Sequence, residues 1–529
     1  MDLLQNLLVG LYGLASLGLF VYGLNCYLLI ALFLRHRGEA ERRTRAVAAD
    51  YWRRSPELPR VTTQLPLWNE RFVAERLIRS VAALDWPGDR HQIQVLDDST
   101  DETRELCASL CAELRAAGID IVHLHRTNRD GWKAGALNQG LAAATGEFVA
   151  IFDADFIPDP DFLRRTIPQF DQPGPQVDQP GPHFRAPGPR SGSGRIAMVQ
   201  TRWGHVNRTH SLLTRAQAIG IDGHFVIEQG ARTWHGLFMN FNGTAGVWRA
   251  EAIRDAGGWT SDTLTEDLDL SYRAQLRGWR MRYLHDVVTP SELPIDINGL
   301  KSQQHRWAKG SIQVACKLLP AVFRAPVSLG TKIQAWFHLT HYLIHPMIVL
   351  VALLAWPALL WFTRVRLADA LVWSSGALLG LSTVAPSVLY LCSQRSTYRD
   401  WIPRVLILPA LIVIGIGIAV NNTRAVLEAV LRRESAFIRT PKYGVVPGQG
   451  GGGSAAPLAQ RRRTYGVKWH LGGAIELALG LYGIWTLWLY VEAGKWVATP
   501  LLTLNALGFT AVGLLSLAHA WRWRPRPAA

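Results

Sequence analysis

Two carboxylates, Asp153 and Asp155, close a short apolar run over residues 148–152. An apolar run that ends in a sudden polar pair predicts a buried parallel strand with the acids at its C-terminal edge. Open α/β sheets bind ligands at that edge. Carboxylates one residue apart can direct oxygens at one hard cation, a Mg²⁺ or Mn²⁺ bridging a diphosphate. A second pair, Asp97 and Asp98, ends the run Val95-Leu96. Lys133-Ala-Gly-Ala-Leu-Asn138 opens a predicted helix, where Lys133 can meet a phosphate and Gly135 permits close backbone approach. Glu266 and Asp267 follow Gly257-Gly258-Trp259, and Gln303-Gln-His-Arg-Trp307 comes last. Taken singly, each has a plain structural reading: Lys133 as a surface charge, Asp267 as a helix cap, Trp307 as an interface anchor. It is their order along one chain that points to chemistry.

The elements that must hold these groups lie between residues 61 and 320. Strands are expected over 61–65, 93–96 and 119–124, and helices over 70–84, 102–117 and 134–144. Such alternation predicts a mostly parallel sheet with helices on both faces. A Pro/Gly-rich insert over 168–195 carries Asp-Gln-Pro-Gly-Pro twice, from Asp171 and from Asp178. It reads as a surface loop without chemistry.

The 529 residues are 49% hydrophobic and only 18% charged, with a net charge of +15. The apolar residues are bunched and the basic ones flank them, which argues for an anionic bilayer surface as partner and against nucleic acid. Five scattered cysteines show neither disulfide nor zinc spacing. Residues 1–36 are expected to form a retained transmembrane helix, followed by an arginine-rich flank that places the next segment in the cytoplasm. Further apolar runs cover 333–362, 368–391, 405–420, 471–491 and 501–518. If all five spanned, residues 424–468, with nine Lys/Arg and two Glu, would lie outside. The run over 405–420 is the shortest and contains Pro409, Gly415 and Gly417, so it is expected to lie in the interface or re-enter. That leaves five spanning helices and a multi-pass protein of the cell (inner) membrane, its catalytic part cytoplasmic. The segments are then 1–36, 61–320, 321–436, 437–468 and 469–529. His338, His341 and His345 share one helical face, where interhelical hydrogen bonds are expected rather than a metal.

The series Asp98, Asp153-x-Asp155, Thr265-Glu-Asp267 and Gln303-x-x-Arg-Trp307 resembles the signature of family 2 processive glycosyltransferases, the cellulose-synthase superfamily. Finer stretches look most like its mannan and glucomannan synthases: Gln200-Thr-Arg-Trp203, Asp222-Gly-His-Phe-Val-Ile-Glu-Gln229 and Phe241-Asn-Gly-Thr-Ala-Gly-Val-Trp248. The resemblance implies a Rossmann-like GT-A domain and multi-pass helices. It also implies inverting, metal-dependent transfer from UDP-glucose or GDP-mannose to a growing glycan that the protein passes across the membrane. Asp97 or Asp98 would hold the nucleotide, with Pro66, Asn69 and Glu70 of the first strand-to-helix loop nearby. Lys133 would support the diphosphate, while Asp153 and Asp155 would bind nucleotide and metal. Asp267, beside Glu266, would be the general base. Arg306 would meet the diphosphate, and Gln303 and Trp307 the acceptor sugar. Phe437-Ile-Arg-Thr-Pro-Lys442 is similar to the superfamily's gating loop, which brings in Thr440 and Lys442; Arg439 departs from the pattern. Relatives that transfer a single sugar to a ceramide or diacylglycerol share these carboxylates and are the main alternative. A transporter or scaffold subunit without activity is a third reading, opposed by the full set of acids.

Overall fold

The computed structural model describes residues 3–54, 57–171, 195–364, 368–434, 440–445 and 471–522. Seven strands form one sheet: β1 (Val61–Leu67), β2 (His91–Asp97), β3 (Ile121–His125), β4 (Phe148–Ile151), β5 (Ile196–His205), β6 (Gly246–Arg249) and β7 (Arg280–Ser291). Their order is β3-β2-β1-β4-β6-β5-β7. The neighbours β3-β2, β2-β1, β1-β4 and β5-β7 are parallel, as the alternation predicts. The exception is β6, which runs antiparallel to both β4 and β5. Because β6 is reversed, its first residues lie at the edge where the parallel strands end.

The sheet is covered on both faces, so even its polar positions are buried and paired. On β1, Gln64 Nε2 donates to Gln94 Oε1 at 3.0 Å, and Thr63 bonds the His91 ring at 2.8 Å. Helices α2 (Ala74–Ala82), α3 (Thr103–Ala116) and α4 (Trp132–Ala142) follow β1, β2 and β3. Leu77, Ile78 and Val81 of α2 and Cys107, Leu110 and Cys111 of α3 point into the core. The two cysteines are therefore packing residues. Pro66 lies inside β1 rather than in the following loop, opposite Leu96. Pairing of β1 with β4 stops at Gln64, so the missing N–H of Pro66 breaks no ladder.

The first helix, α1 (Leu3–Arg53), runs 51 residues, well past the expected end at 36. Its basic extension is rich in good helix formers, and Arg37 pairs with Glu41 one turn on at 2.9 Å. That extension docks on the sheet domain, where Trp52 Nε1 donates to the Arg164 carbonyl at 3.2 Å. Further along come α5 (Leu212–Asp222), α6 (Glu266–Leu276) and α7 (Ile297–Arg324). Six long helices follow: α8 (Leu329–Thr340), α9 (Ile344–Arg364), α10 (Ala368–Thr397), α11 (Leu408–Gly417), α12 (Ala419–Val430) and α13 (Gly472–Glu492); α14 (Thr499–Arg522) ends the described chain.

Among the described residues four segments are long and apolar enough to cross a membrane: Leu3–Arg53, Leu329–Trp361, Gly472–Glu492 and Trp496–Trp521. The run over 368–391 is helical in α10, and part of it lies outside the described side chains. The run over 405–420 forms a pair, Trp401–Gly417 and Ala419–Val430, bent by 42°. That is the shape of a broken span or a re-entrant loop. Most of the 168–195 insert, the Phe437-Ile-Arg439 part of the loop motif and residues 446–470 lie outside the described residues.

Helices α13 and α14 meet through small residues. A Cβ on Gly480 would lie 2.7 Å from the Thr510 backbone nitrogen, and one on Gly513 2.7 Å from that of Leu477. Gly480→Val therefore forces the pair apart, at a cost of about 1–3 kcal/mol for overpacking. The expected result is a lower melting temperature in detergent, with the isolated sheet-domain signal unchanged; an unaltered melting curve would refute the close contact.

Candidate active site

The site is built at the C-terminal edge of the parallel strands. β4 ends at Ile151 and delivers Asp153 and Asp155 just beyond it. The reversed β6 brings the Asn242-Gly243-Thr244 turn to the same edge, where the Asp153 N–H donates to Thr244 Oγ1 at 2.9 Å. Lys133, in the first turn of α4, donates from Nζ to Asp153 Oδ1 at 2.7 Å and to the Gly243 carbonyl at 2.8 Å. Glu266 Oε1 stands 3.7 Å from the same ammonium. Asp267 occupies the first turn of α6, and its Oδ1 accepts from the Leu268 N–H at 2.8 Å.

Gly243 is the hinge of this arrangement. Its φ is +81°, and a Cβ there would sit 2.9 Å from Asp267 Oδ2 and 3.3 Å from Lys133 Nζ. Only a bare backbone lets the acid and the lysine flank one turn this closely. A Cβ on Gly135 would overlap the Asp130 carbonyl, so the close backbone approach expected there is made to the loop before α4.

The electrostatics follow from burial. Burial works against the Lys133 charge, but Asp153 and Glu266 outweigh it and hold the ammonium above its ordinary value. Burial likewise opposes ionisation of Asp153, and Lys133 and Lys442 outweigh it to hold that carboxyl low. Asp267 differs. Burial and then the charge of Glu266 push it up to about 7, against the opposing pull of Lys133 and the Leu268 N–H. One edge thus holds a carboxylate fixed in its charged form and another poised to exchange a proton near neutrality.

The short segment 440–445 crosses over this edge. Lys442 Nζ pairs with Asp155 and stands 3.5 Å from Glu70 Oε1. Thr440 Oγ1 accepts from Arg306 Nη2 at 2.8 Å. The sequence motifs at 69–70, 133, 153–155, 266–267, 306 and 440–442, up to 373 residues apart (from 69 to 442), therefore meet in one place. Asn69, with φ +55°, stitches the loops after β1 and β2: its N–H donates to Ser99 Oγ at 2.8 Å, and its Oδ1 accepts from the Thr100 N–H at 2.8 Å.

Other expected residues stand further back. Asp97 is fully buried, with Oδ2 bonded to His123 Nε2 at 2.9 Å and Oδ1 accepting from the Ser99 N–H at 2.8 Å. Asp98 is gripped by Arg126 through Nε–Oδ1 at 2.6 Å and Nη2–Oδ2 at 2.5 Å. Gln303 and Trp307 sit on α7, which carries Arg306. The Gln303 Oε1 is buried without a hydrogen-bond partner, and Trp307 is half-buried with its ring 6.5 Å from that of Trp203.

His338 Nδ1 bonds the Tyr272 hydroxyl at 2.8 Å and its Nε2 bonds Asn240 Oδ1 at 3.1 Å; His345 bonds Asn422 at 2.9 Å. The bonds to Tyr272 and Asn422 join helices, while the bond to Asn240 ties α8 to the loop beside the site; among the described residues no three His, Cys, Asp or Glu converge as metal ligands. His224 and Glu228 bond at 2.8 Å on a π-helical turn, Gly223–Gln229, and Gln229 and His224 both reach Asn242 beside the site.

Sequence reasoning missed Arg126 and Glu292. Arg126 was findable, since it follows the tip of β3 at the edge that holds the acids. Glu292 was not: it follows β7, and its carboxylate accepts from the backbone N–H groups of Tyr443, Gly444 and Val445 at 2.9, 2.8 and 3.3 Å. Burial pushes Glu292 up to about 7 even against those donors. It anchors the segment that carries Thr440 and Lys442. Glu292→Gln replaces one acceptor oxygen with a donor facing N–H groups. The expected result is faster amide hydrogen exchange at Tyr443, Gly444 and Val445, with exchange in β1 and β4 unchanged; equal protection in the variant would refute the anchor.

Residues 59–310 match the family described as glycosyltransferase like family 2. Glucomannan 4-beta-mannosyltransferase 1 of Oryza sativa subsp. japonica is 42% identical over 282 residues, 53% of this chain and 49% of the relative. Glucomannan 4-beta-mannosyltransferase 2 of Arabidopsis thaliana is 41% identical over 286 residues, 53% of this chain and 49% of the relative. The chain spans about half the length of the curated relatives it matches. A solved structure, mannosyltransferase PcManGT from Pyrobaculum calidifontis in complex with GDP-Man and Mn2+, is similar with a TM-score of 0.47 and 19% identity, covering 77% of this chain and 100% of that one. With the mixed sheet and the edge acids in place, residues 59–310 are a family 2 glycosyltransferase domain of the GT-A-like type.

Proposed function

We propose that this protein is an inverting, metal-dependent glycosyltransferase that elongates a β-linked polysaccharide from nucleotide-activated mannose. The observation that carries the reading is Asp267, a half-buried carboxyl raised to about 7, one glycine backbone away from the Lys133–Asp153 pair. The relatives named as glucomannan mannosyltransferases match the same region, which favours GDP-mannose over UDP-glucose as donor.

The acceptor hydroxyl gives its proton to Asp267 as its oxygen bonds to the anomeric carbon. The bond from that carbon to the diphosphate breaks on the opposite face, so the configuration inverts. The diphosphate leaves with the bonding electrons, and Lys133, Lys442 and Arg306 offer it positive charge. Asp153 and Asp155 fit a divalent cation: each carboxylate already faces an ammonium, which marks a place that requires positive charge. Two carboxylates plus substrate phosphates are the usual set for Mg²⁺ or Mn²⁺. Such an ion, when bound, neutralises the leaving group. Gln303 and Trp307, on the helix that carries Arg306, orient the acceptor end. The apolar helices support a multi-pass membrane protein; the arginine-rich flank of α1 favours catalysis at the cytoplasmic face, with the glycan passed outward.

Purified full-length protein in detergent with Mn²⁺ or Mg²⁺ should convert GDP-mannose into a high-molecular-weight product that a β-mannanase digests. UDP-glucose as the better donor would overturn the mannose assignment, and one sugar on an extractable lipid would move the protein to the lipid-glycosylating class. Asp267→Asn should lower kcat by about 10²–10⁴-fold with donor affinity retained. Lost donor binding in that variant would argue against the base role.

The raised pKa fixes the pH dependence. Asp267 must be ionised to accept a proton, so kcat/KM should climb as pH rises through about 7 and fall away on the acid side. The stability contribution has the opposite sign: a raised carboxyl favours the folded state fully below its ordinary 3.8 and loses that contribution as pH rises through about 7. A pH–rate profile flat between the two values would rule out this carboxyl as the titrating base.

A further inference from the structure

A cavity of about 250 Å³ opens between α1, β5, β7 and the end of α10. Its walls carry three guanidinium groups, from Arg37, Arg45 and Arg202. Of the two acids beside them, Glu41 pairs with Arg37 itself at 2.9 Å, and Asp286 pairs with Arg165, outside the lining, at 3.4 Å, so the lining carries three cations against two acids. Arg202 is only 9% exposed; it donates to the His285 carbonyl at 3.0 Å and to the Tyr398 hydroxyl at 3.2 Å, and the charge of Asp222, which accepts from that hydroxyl, also acts on it. The local field is therefore positive. His285 reports it independently: burial, and then the charges of Arg202 and Arg37, push its ring down to about 3, so it is neutral.

Two wall residues hold polar atoms that the fold leaves unused. His285 is 8% exposed, and its Nδ1 is buried with no hydrogen-bond partner. Thr397 Oγ1 is likewise buried without one. Buried polar groups are rarely left this way, because each costs the desolvation it is not repaid for. Here two such groups line one positively charged cavity.

Its height in the molecule narrows what it takes. Arg37 and Arg45 lie just past the apolar part of α1, whose Leu28 and Leu34 are exposed. Thr397 is the last residue of α10, which begins with the apolar run at 368–391. Both helices leave their apolar stretches at the level of the cavity, the level of lipid headgroups.

We propose that this cavity binds a phosphate ester at the membrane surface, held by Arg37, Arg45 and Arg202 with His285 and Thr397 as neutral hydrogen-bond partners. The headgroup of an anionic phospholipid and a soluble phosphate share that chemistry. None of its lining residues is among those assigned to glycosyl transfer, so it stands or falls independently of the proposed reaction.

The test uses the delipidated full-length protein. Phosphatidylglycerol, a phosphate-free diacylglycerol with the same chains, and inorganic phosphate are added back separately, and binding is read by native mass spectrometry for the lipids and calorimetry for phosphate. Arg45→Gln, on an exposed helix face, and Thr397→Val are compared with wild type after confirming equal ligand-free melting temperatures. Retention of phosphatidylglycerol above diacylglycerol, reduced about fivefold by Arg45→Gln and also reduced by Thr397→Val, supports a lipid headgroup site. Phosphate binding with the same loss supports a soluble ligand. Binding no better than diacylglycerol and no uptake of phosphate would overturn the proposal, as would variants that bind like wild type.

Discussion

The half-buried ammonium of Lys133 is the interaction on which the site depends. It bonds Asp153 at the end of β4 and the Gly243 carbonyl before β6, and it lies near Glu266 at the start of α6. One cation thus ties three separate pieces of chain to a single sheet edge. Carboxylates and a carbonyl surround the charge and offset its partial loss of water. The same arrangement divides the acids into two kinds. Asp153, bonded to the lysine, stays ionised, while Asp267, partly desolvated and next to Glu266, holds its proton to near neutral pH. Environment alone separates the roles of two residues with identical side chains.

A second cation, Lys442, repeats the logic from above. It reaches Asp155 and Glu70 from the segment 440–445, which is fastened by Glu292 on one side and by the Thr440–Arg306 bond on the other. Arg306 belongs to α7, and α7 is in turn fixed to the helices that follow. Lys309 donates to the Arg433 carbonyl at 2.6 Å and stands 3.3 Å from Glu428, while Lys301 pairs with the buried Glu476 at 2.6 Å. The edge acids and the apolar helices are therefore mechanically continuous: a shift of α7 moves Arg306, Gln303 and Trp307 together.

The chain order of motifs along 61–307 already carried the strand tips, the helix starts and the acids, because short buried strands and amphipathic helices leave local patterns. Less could be read where the pattern is not local. The reversal of β6 has no signature in four residues, Gly246–Arg249, that read the same in either direction. Nor did the basic flank after residue 36 announce that it stays helical to Arg53, because its docking partners Arg164 and Gln169 lie more than a hundred residues away. The family resemblance puts Pro66 in the loop after the first strand; it sits within β1 because the neighbouring β4 is too short to need its N–H.

The sequence by itself determined which side chains are available and the family-like order in which they come: acids at strand ends, a lysine at a helix start, an arginine and tryptophan on an amphipathic helix, and apolar runs long enough for a bilayer. Tertiary structure decided which of those groups meet. It buried Asp97 behind the edge, locked Asp98 to Arg126, set Gly243 between Asp267 and Lys133, and brought Glu292 under a segment 151 residues further on. The physical reason is that charge burial is a property of the assembled environment. A carboxylate's proton affinity and partner depend on distances across the sheet, which no stretch of sequence contains.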